Sequence, residues 1–359
     1  MPSSTSGSCC SRTASTRPGR TRASSPCVAP CTTLPRWRSP TDRSNDAHDA
    51  RGRSVTFAIG VDGGGTHARA VIVDERGREI ARAEAPGVVV SLRAPEAAAA
   101  AVAKAVRGAA DAGRVRLPGA TLWAGLAGAG HEASRLGVER ALANAGLAGR
   151  VRVGTDVEAA FHAAFPEGPG LMLIAGTGSI AWGRAPAGDL CRVGGWGQQL
   201  GDEGSGYAIG LAAVRAVARA EDERTGPTSL RAAVLTALQL PSSGDLIPWI
   251  AAATKGEVAA LVPVVLQCAK LGDTAAHSIF REAVSDLEAH IAALLHRTGP
   301  WASPPELLLS GGLVGRGGTL REALVERLAT HPVVLRLDEV DAAVGAAMLA
   351  LTALRGTAP

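Results

Sequence analysis

Residues 56–85 read TFAIGVDGGGTHARAVIVDERGREIARAEA. TFAIGVD is an apolar run of strand-forming residues, GGGT is a turn, and HARAVIVD returns as a second strand. ERGR turns again and EIARAEA makes a third. Strands joined this tightly form an antiparallel meander rather than a strand–helix–strand unit. The glycines match neither the Walker A pattern nor GxGxxG, both of which run from a strand into a helix.

Downstream of the meander, residues 95–112 form a strong helix by propensity, with Pro95 in its first turn. TLWAGLAGAG is a strand entering a glycine turn, residues 131–145 a helix, VRVGTD a strand, and VEAAFHAAF a short helix. A similar unit then opens again. LMLIAGTGSIAWGRAP is strand, glycine turn, strand, about 115 residues after the first, and DLCRVGGW supplies a third strand. Several helical patterns follow, and the longest carries Ile279, Val284, Leu287, Ile291 and Leu294 near 3.6-residue spacing. ELLLSGG and VVLRL return to strand, and DAAVGAAMLALTAL ends the chain as a helix. The reading is two similar α/β domains with a cleft between them, where ligand sites commonly lie.

Composition narrows the classes. At 359 residues and 46% hydrophobic, the chain can bury a large core. No apolar run approaches the roughly 20 residues a membrane span needs. Residues 1–54 hold nine arginines and three aspartates without Lys or Glu, a charge of +6; the whole chain is +4, leaving −2 for residues 55–359. A mildly acidic body gives no footprint for nucleic acid. Cys9, Cys10, Cys27 and Cys31 lie in that first segment, so the body keeps only Cys191 and Cys268. Two cysteines this far apart form no metal or disulfide pattern and read as core thiols of a reduced, cytoplasmic protein. Residues 1–54 are rich in Ser, Thr, Pro and Arg and without hydrophobic period, which predicts a disordered extension or an over-long start. Transit peptides share that composition.

Three turns share one chemistry: Asp62-Gly63-Gly64-Gly65-Thr66, Gly176-Thr177-Gly178-Ser179 and Ser310-Gly311-Gly312-Leu313. Each follows an apolar strand, and glycine with Thr or Ser presents N–H groups and hydroxyls suited to phosphate oxygens. One such turn alone could be an ordinary hairpin; three at corresponding strand ends make a phosphate site. Asp62, at the mouth of the first, is placed to hold Mg²⁺ through water.

DGGGT, GTGS and SGG in this order resemble the two phosphate loops and the adenosine loop of the actin/hexokinase/Hsp70 ATPase superfamily. GGWGQQLGDEGSGY, residues 194–207, is similar to the corresponding loop of the N-acetylglucosamine kinases in the BadF/BadG/BcrA/BcrD ATPase family. The resemblance spans nearly all of residues 55–355. It implies two ribonuclease-H-like domains, 55–165 and 166–340, the second with a helical insertion. A C-terminal helix in 341–359 would pack back on the first domain. It further implies ATP-dependent phosphorylation of the 6-hydroxyl of N-acetylglucosamine. Gly63, Gly64, Gly65, Thr66, Gly176, Thr177, Gly178 and Ser179 would hold the phosphates, and Gly311 and Gly312 the nucleoside.

By position, Asp156 is either the base that accepts the hydroxyl proton or an N-cap of the next helix. The resemblance favours the base, because the kinases carry an Asp in a matching TD segment. It also implies that Asp202 bonds sugar hydroxyls while the backbone of Gly194 and Gly195 lies against the ring. Glu203 sits either behind Asp202 or near the metal. Trp196 would stack on the sugar or, the preferred reading, lie buried with its N–H bonded. His67 reads as polar surface. The expected partner is a small amino sugar; a homodimer, common among relatives, is left open.

Two positions depart from the family. The loop after the third strand reads APGVVVSLRAP, with Val88, Val89 and Val90 and no Asn, and Ile180 follows GTGS where some relatives have Asn. Fewer amides near the sugar leave its identity open among N-acetylglucosamine, glucosamine and N-acetylmuramate, whose lactyl ether an apolar pocket would accept. An iron–sulfur ATPase activator of acyl-CoA dehydratases is the rival within the family, but Cys191 and Cys268 lack its paired-cysteine motif. A binding regulator without turnover is the rival outside it, disfavoured because both acids are present. The zinc motif of ROK sugar kinases is absent.

Overall fold

The computed structural model describes residues 56–356 except Thr66 and Val88. Every described residue lies in one compact unit. The expected extension 1–54, together with Thr66 and Val88, lies outside the described residues.

The first half runs β1 (Phe57–Gly63), β2 (His67–Asp74), β3 (Glu79–Pro86), α1 (Pro95–Gly113), β4 (Gly119–Leu126), α2 (Glu132–Asn144), β5 (Ala148–Gly154) and α3 (Asp156–Ala164). Its sheet has the order β3-β2-β1-β4-β5, antiparallel through the meander and parallel from β1 to β4 to β5. The second half opens with β6 (Gly170–Ala175), β7 (Ser179–Arg184) and β8 (Leu190–Gly194). An all-helical insertion follows: α4 (Gly206–Glu221), α5 (Leu230–Leu238), α6 (Leu246–Ala252), α7 (Lys255–Ala259), α8 (Val262–Lys270) and α9 (Thr274–Thr298). The chain ends with β9 (Glu306–Ser310), α10 (Arg321–Leu328), β10 (Val334–Arg336) and α11 (Ala342–Leu354). The second sheet is β10-β9-β6-β7-β8. Counted from each meander's edge, both sheets run third, second, first, fourth, fifth strand, with the same strand senses. The repeat expected from two strand–glycine–strand openings is therefore a repeat of topology.

β1 is central and covered on both faces, which is why FAIGVDG is buried apart from half-buried Asp62. One side carries α1 through Ala98, Val102, Ala105, Val106 and Ala109. On the other, α11 lays Ala343, Ala347, Ala350 and Leu351 on Ala58, Val71 and Val73. That crossing is backbone on backbone at Gly60, where a Cβ would collide with Ala343 and Ala347. α11 also packs on α3, with Gly345 against the Ala159 carbonyl. The far face of α3 places Phe161 and Phe165 on Met172 and Leu308 of the second sheet. α3 and α11 thus tie the two halves together, and the first turn of each starts at an aspartate. The five periodic positions of α9 are all buried in the second core. Among the described residues, no helix is long and apolar enough to cross a membrane.

Candidate active site

Asp62 stands near the end of β1, opposite Arg69 on β2 and Gly125 on β4. Burial pushes its carboxyl up to about 6, reinforced by the charges of Asp156 and Asp341 and opposed by Arg69. Asp341 is fixed as the N-cap of α11, accepting from the Ala343 and Val344 amides, and Arg82 on β3 donates to it at 2.9 Å.

Asp156 is the first residue of α3, but the cap is its neighbour. Thr155 accepts from the Glu158 amide while Glu158 accepts from the Thr155 amide, a reciprocal box. The N-cap alternative for Asp156 is thereby replaced by Thr155. The Asp156 carboxylate accepts the adjacent Val157 amide at 3.0 Å, and its own backbone amide also reaches it. Burial raises its pKa, Glu158 adds to the rise, and the backbone amides and the positive charge of Lys255 pull it back. A carboxylate lifted by desolvation is a stronger proton acceptor than an exposed one.

The glycine loops occupy matching places in the two sheets. Gly63, Gly64 and Gly65 join β1 to β2; Gly176, Thr177 and Gly178 join β6 to Ser179, the first residue of β7. Gly311 and Gly312 follow β9, and the Leu313 amide donates to the Ala175 carbonyl at 3.0 Å, seating this third loop beside the second. Gly311 has φ +91°, and a Cβ there would strike Ala175. A Cβ on Gly312 would meet nothing within 4 Å, and one on Gly176 only the Gly312 amide at 3.8 Å. The two loops therefore present bare main chain to an open space, which fits the phosphates and nucleoside of ATP. The first turn of α4 seals the second loop from behind, with Gly206 and Tyr207 amides on the Gly176 and Thr177 carbonyls.

Residues 194–207 give a mixed outcome. Gly194 and Gly195 have φ of +71° and +68°. A Cβ on Gly194 would run into His290, and one on Gly195 would lie 2.5 Å from Ile180 Cδ1. These glycines are required by protein packing on the side where a Cβ would point, rather than by a ring lying there. Trp196, expected to be buried, is 61% exposed with Arg192 over its ring at 4.9 Å; the turn of positive-φ glycines around it holds it outside the core. Glu203 is exposed, its Oε2 3.7 Å from His290 Nε2, and its carbonyl accepts from the Ser179 hydroxyl at 2.7 Å. Asp202 is 3% exposed with φ +60° and points inward. Its Oδ1 accepts the Ser179 amide at 3.2 Å, and its Oδ2 lies 2.6 Å from Lys255 Nζ. That second contact is a charge pair without the angle of a hydrogen bond. Asp202 thus grips the second glycine loop directly. His67 is exposed and pairs with Glu84, as polar surface should.

Sequence reasoning missed Lys255 and Asp341. The Asp341 cap could have been found from an acid preceding the apolar run of α11. Lys255 carries a compositional signal, being one of three lysines among 37 basic residues. For Mg²⁺, the repelling carboxylates of Asp62 and Asp156 fit a cation held largely through water. Among the described residues, no three His, Cys, Asp or Glu gather closely enough to cage a metal.

Comparison with known proteins agrees with this geometry. The chain is 32% identical over 230 residues to an N-acetylmuramic acid/N-acetylglucosamine kinase of Clostridium acetobutylicum, covering 63% of this chain and 75% of that one. It is 30% identical over 321 residues to an N-acetyl-D-glucosamine kinase of Dictyostelium discoideum, covering 83% and 98%. Among solved structures, a proposed N-acetylglucosamine kinase from Chromobacterium violaceum superposes with a TM-score of 0.68 at 28% identity, covering 83% of this chain and all of the other. The sequence profile of the BadF/BadG/BcrA/BcrD ATPase family matches residues 59–350, from β1 to α11, and the chain belongs to that family.

Proposed function

We propose that this protein is an ATP-dependent kinase that phosphorylates the 6-hydroxyl of N-acetylglucosamine. The observation that carries the reading is the Asp156 carboxylate, released from capping duty by Thr155, lifted by burial and within electrostatic reach of Asp62 and Lys255. Asp156 accepts the proton as the sugar oxygen bonds to the γ-phosphorus and the bond to the ADP oxygen breaks. Main-chain amides of the second and third loops hold the nucleotide, and Asp62 is the residue that would hold Mg²⁺. When bound, the metal supplies charge neutralisation at the phosphates. Asp202, buried against the Ser179 amide and the Lys255 ammonium, positions the second loop. Closure of the two halves over the sugar excludes water and limits idle ATP hydrolysis. The names of the Clostridium and Dictyostelium relatives support the substrate class.

A second reading keeps the chemistry and changes the sugar. Val89 is exposed, and a Cβ on Gly65 would lie 3.1 Å from its Cγ2, so an apolar side chain borders the first glycine loop. That surface suits the lactyl ether of N-acetylmuramate. A panel of N-acetylglucosamine, glucosamine, N-acetylmuramate, N-acetylmannosamine and glucose, with MgATP and product mass followed, separates the two. N-acetylglucosamine should give the highest kcat/KM. A lead for N-acetylmuramate would move the specificity to Val89, and no turnover on any sugar would end the kinase reading.

A further inference from the structure

We propose that Lys255 is a catalytic residue of this kinase, the cation that contacts the γ-phosphoryl group of ATP; the inference rests on the kinase reading above. Three observations converge on its ammonium group. Nζ is 2.6 Å from Asp202 Oδ2. A Cβ placed on Gly178 would be 2.5 Å from the same Nζ, so Lys255 lies directly on the second glycine loop. Its charge also reaches the Asp156 carboxyl, which it holds down. One ammonium therefore sits among the loop, the proposed base and Asp202, where negative charge gathers during phosphoryl transfer.

The helical insertion aims this side chain. Lys255 is the first residue of α7, whose start is fixed by a reciprocal box between Thr254 and Glu257. α7 crosses α4 backbone to backbone, since a Cβ on Gly210 would collide with the Val258 carbonyl. The first turn of α4 in turn donates its amides to the second loop. Loop, α4 and α7 thus form one rigid frame. The Lys255 side chain remains 34% exposed, open to a ligand, whereas its partner Asp202 is buried. A chain that carries arginine at nearly every basic position has lysine here. The compact ammonium can leave one carboxylate oxygen for a phosphate oxygen, which a planar guanidinium does less readily.

The bland alternative is that Lys255 only neutralises buried Asp202, and the γ-phosphate distinguishes the two. Calorimetric binding of a non-hydrolysable ATP analogue and of ADP, both with Mg²⁺, would be measured on wild type and Lys255→Met. The proposal expects Lys255→Met to lose about tenfold in affinity for the analogue while ADP binding stays within twofold, with kcat down about 10²-fold. Equal changes for the two nucleotides would overturn it. The double variant Lys255→Met/Asp202→Asn, which removes both charges, should keep the roughly tenfold loss for the analogue; recovery of wild-type affinity would mean a structural pair only. Wild-type protein gives a reading that needs no variant. Amine acylation mapped by peptide mass should be slowed at Lys255, relative to Lys104 and Lys270, by the analogue and not by ADP. Equal protection by both would contradict the proposal. If wild type phosphorylates N-acetylglucosamine and Lys255 shows no γ-phosphate dependence, this inference alone fails. If wild type phosphorylates no sugar, the kinase reading fails, whatever Lys255 does.

Discussion

Asp62 concentrates the electrostatic cost of the site. Its carboxyl is pushed from 3.8 to about 6 by burial and by two aspartates, so in metal-free buffer the ionised form weakens the fold. An acid whose pKa is raised on folding costs nothing while protonated in both states. Stability therefore falls as the pH rises from about 4 to about 6 and stays lower above that, by about 3 kcal/mol for a shift of this size. Asp62→Asn should raise Tm by roughly 5 °C at pH 7.5 in the presence of a chelator, with the gain gone near pH 4, while activity with MgATP is lost. A Tm gain independent of pH would refute the electrostatic origin. Legibility varied at this scale. Asp62 and Asp156 could be nominated because each ends a strand beside small residues. The Thr155–Glu158 spacing already carried the capping signal that frees Asp156. Lys255 could not be paired with Asp202, because 53 positions and three helices separate them and only packing of α7 on α4 brings them together.

The glycines of residues 194–207 belong to the scale of the element. Their density signalled unusual dihedrals, and positive φ at Gly194, Gly195, Gly197 and Gly204 accounts for it. The direction in which each lacks space was not legible, since His290 and Ile180 come from other elements. The same ignorance put Trp196 in the core: an apolar ring suggested burial, whereas the turn holds it out beside Arg192. Gly194→Ala must accept both a positive φ and a clash with His290, whereas Gly197→Ala, φ +81°, meets nothing within 4 Å. Urea denaturation should show Gly194→Ala destabilised by about 3 kcal/mol and Gly197→Ala by only about 1 kcal/mol. Equal losses would mean that strain alone, not packing on His290, demands glycine at 194.

For the whole molecule, the repeat was readable because its physical basis is local: two apolar strands around a glycine turn, twice, with the same helix-and-strand sequel. The matching strand order of the two sheets follows from that duplication. What tied the halves together was less visible. α3 and α11 meet through Gly345 and span both sheets, and the alanine-rich sequence of α11 shows this only once its neighbours are known. Those two helices begin at Asp156 and just after Asp341, so the framework that joins the halves also delivers acids to the site.

The central claim is that Asp156 deprotonates a sugar hydroxyl for attack on ATP. The most direct measurement follows ADP release and phosphorylated sugar together, with N-acetylglucosamine and MgATP, for wild type and Asp156→Asn. The account predicts one phosphorylated sugar per ADP in wild type. For Asp156→Asn it predicts a kcat 10²- to 10⁴-fold lower at little changed sugar affinity. Sugar phosphate formed by Asp156→Asn at the wild-type rate, or ADP released by wild type without phosphorylated sugar, would contradict it.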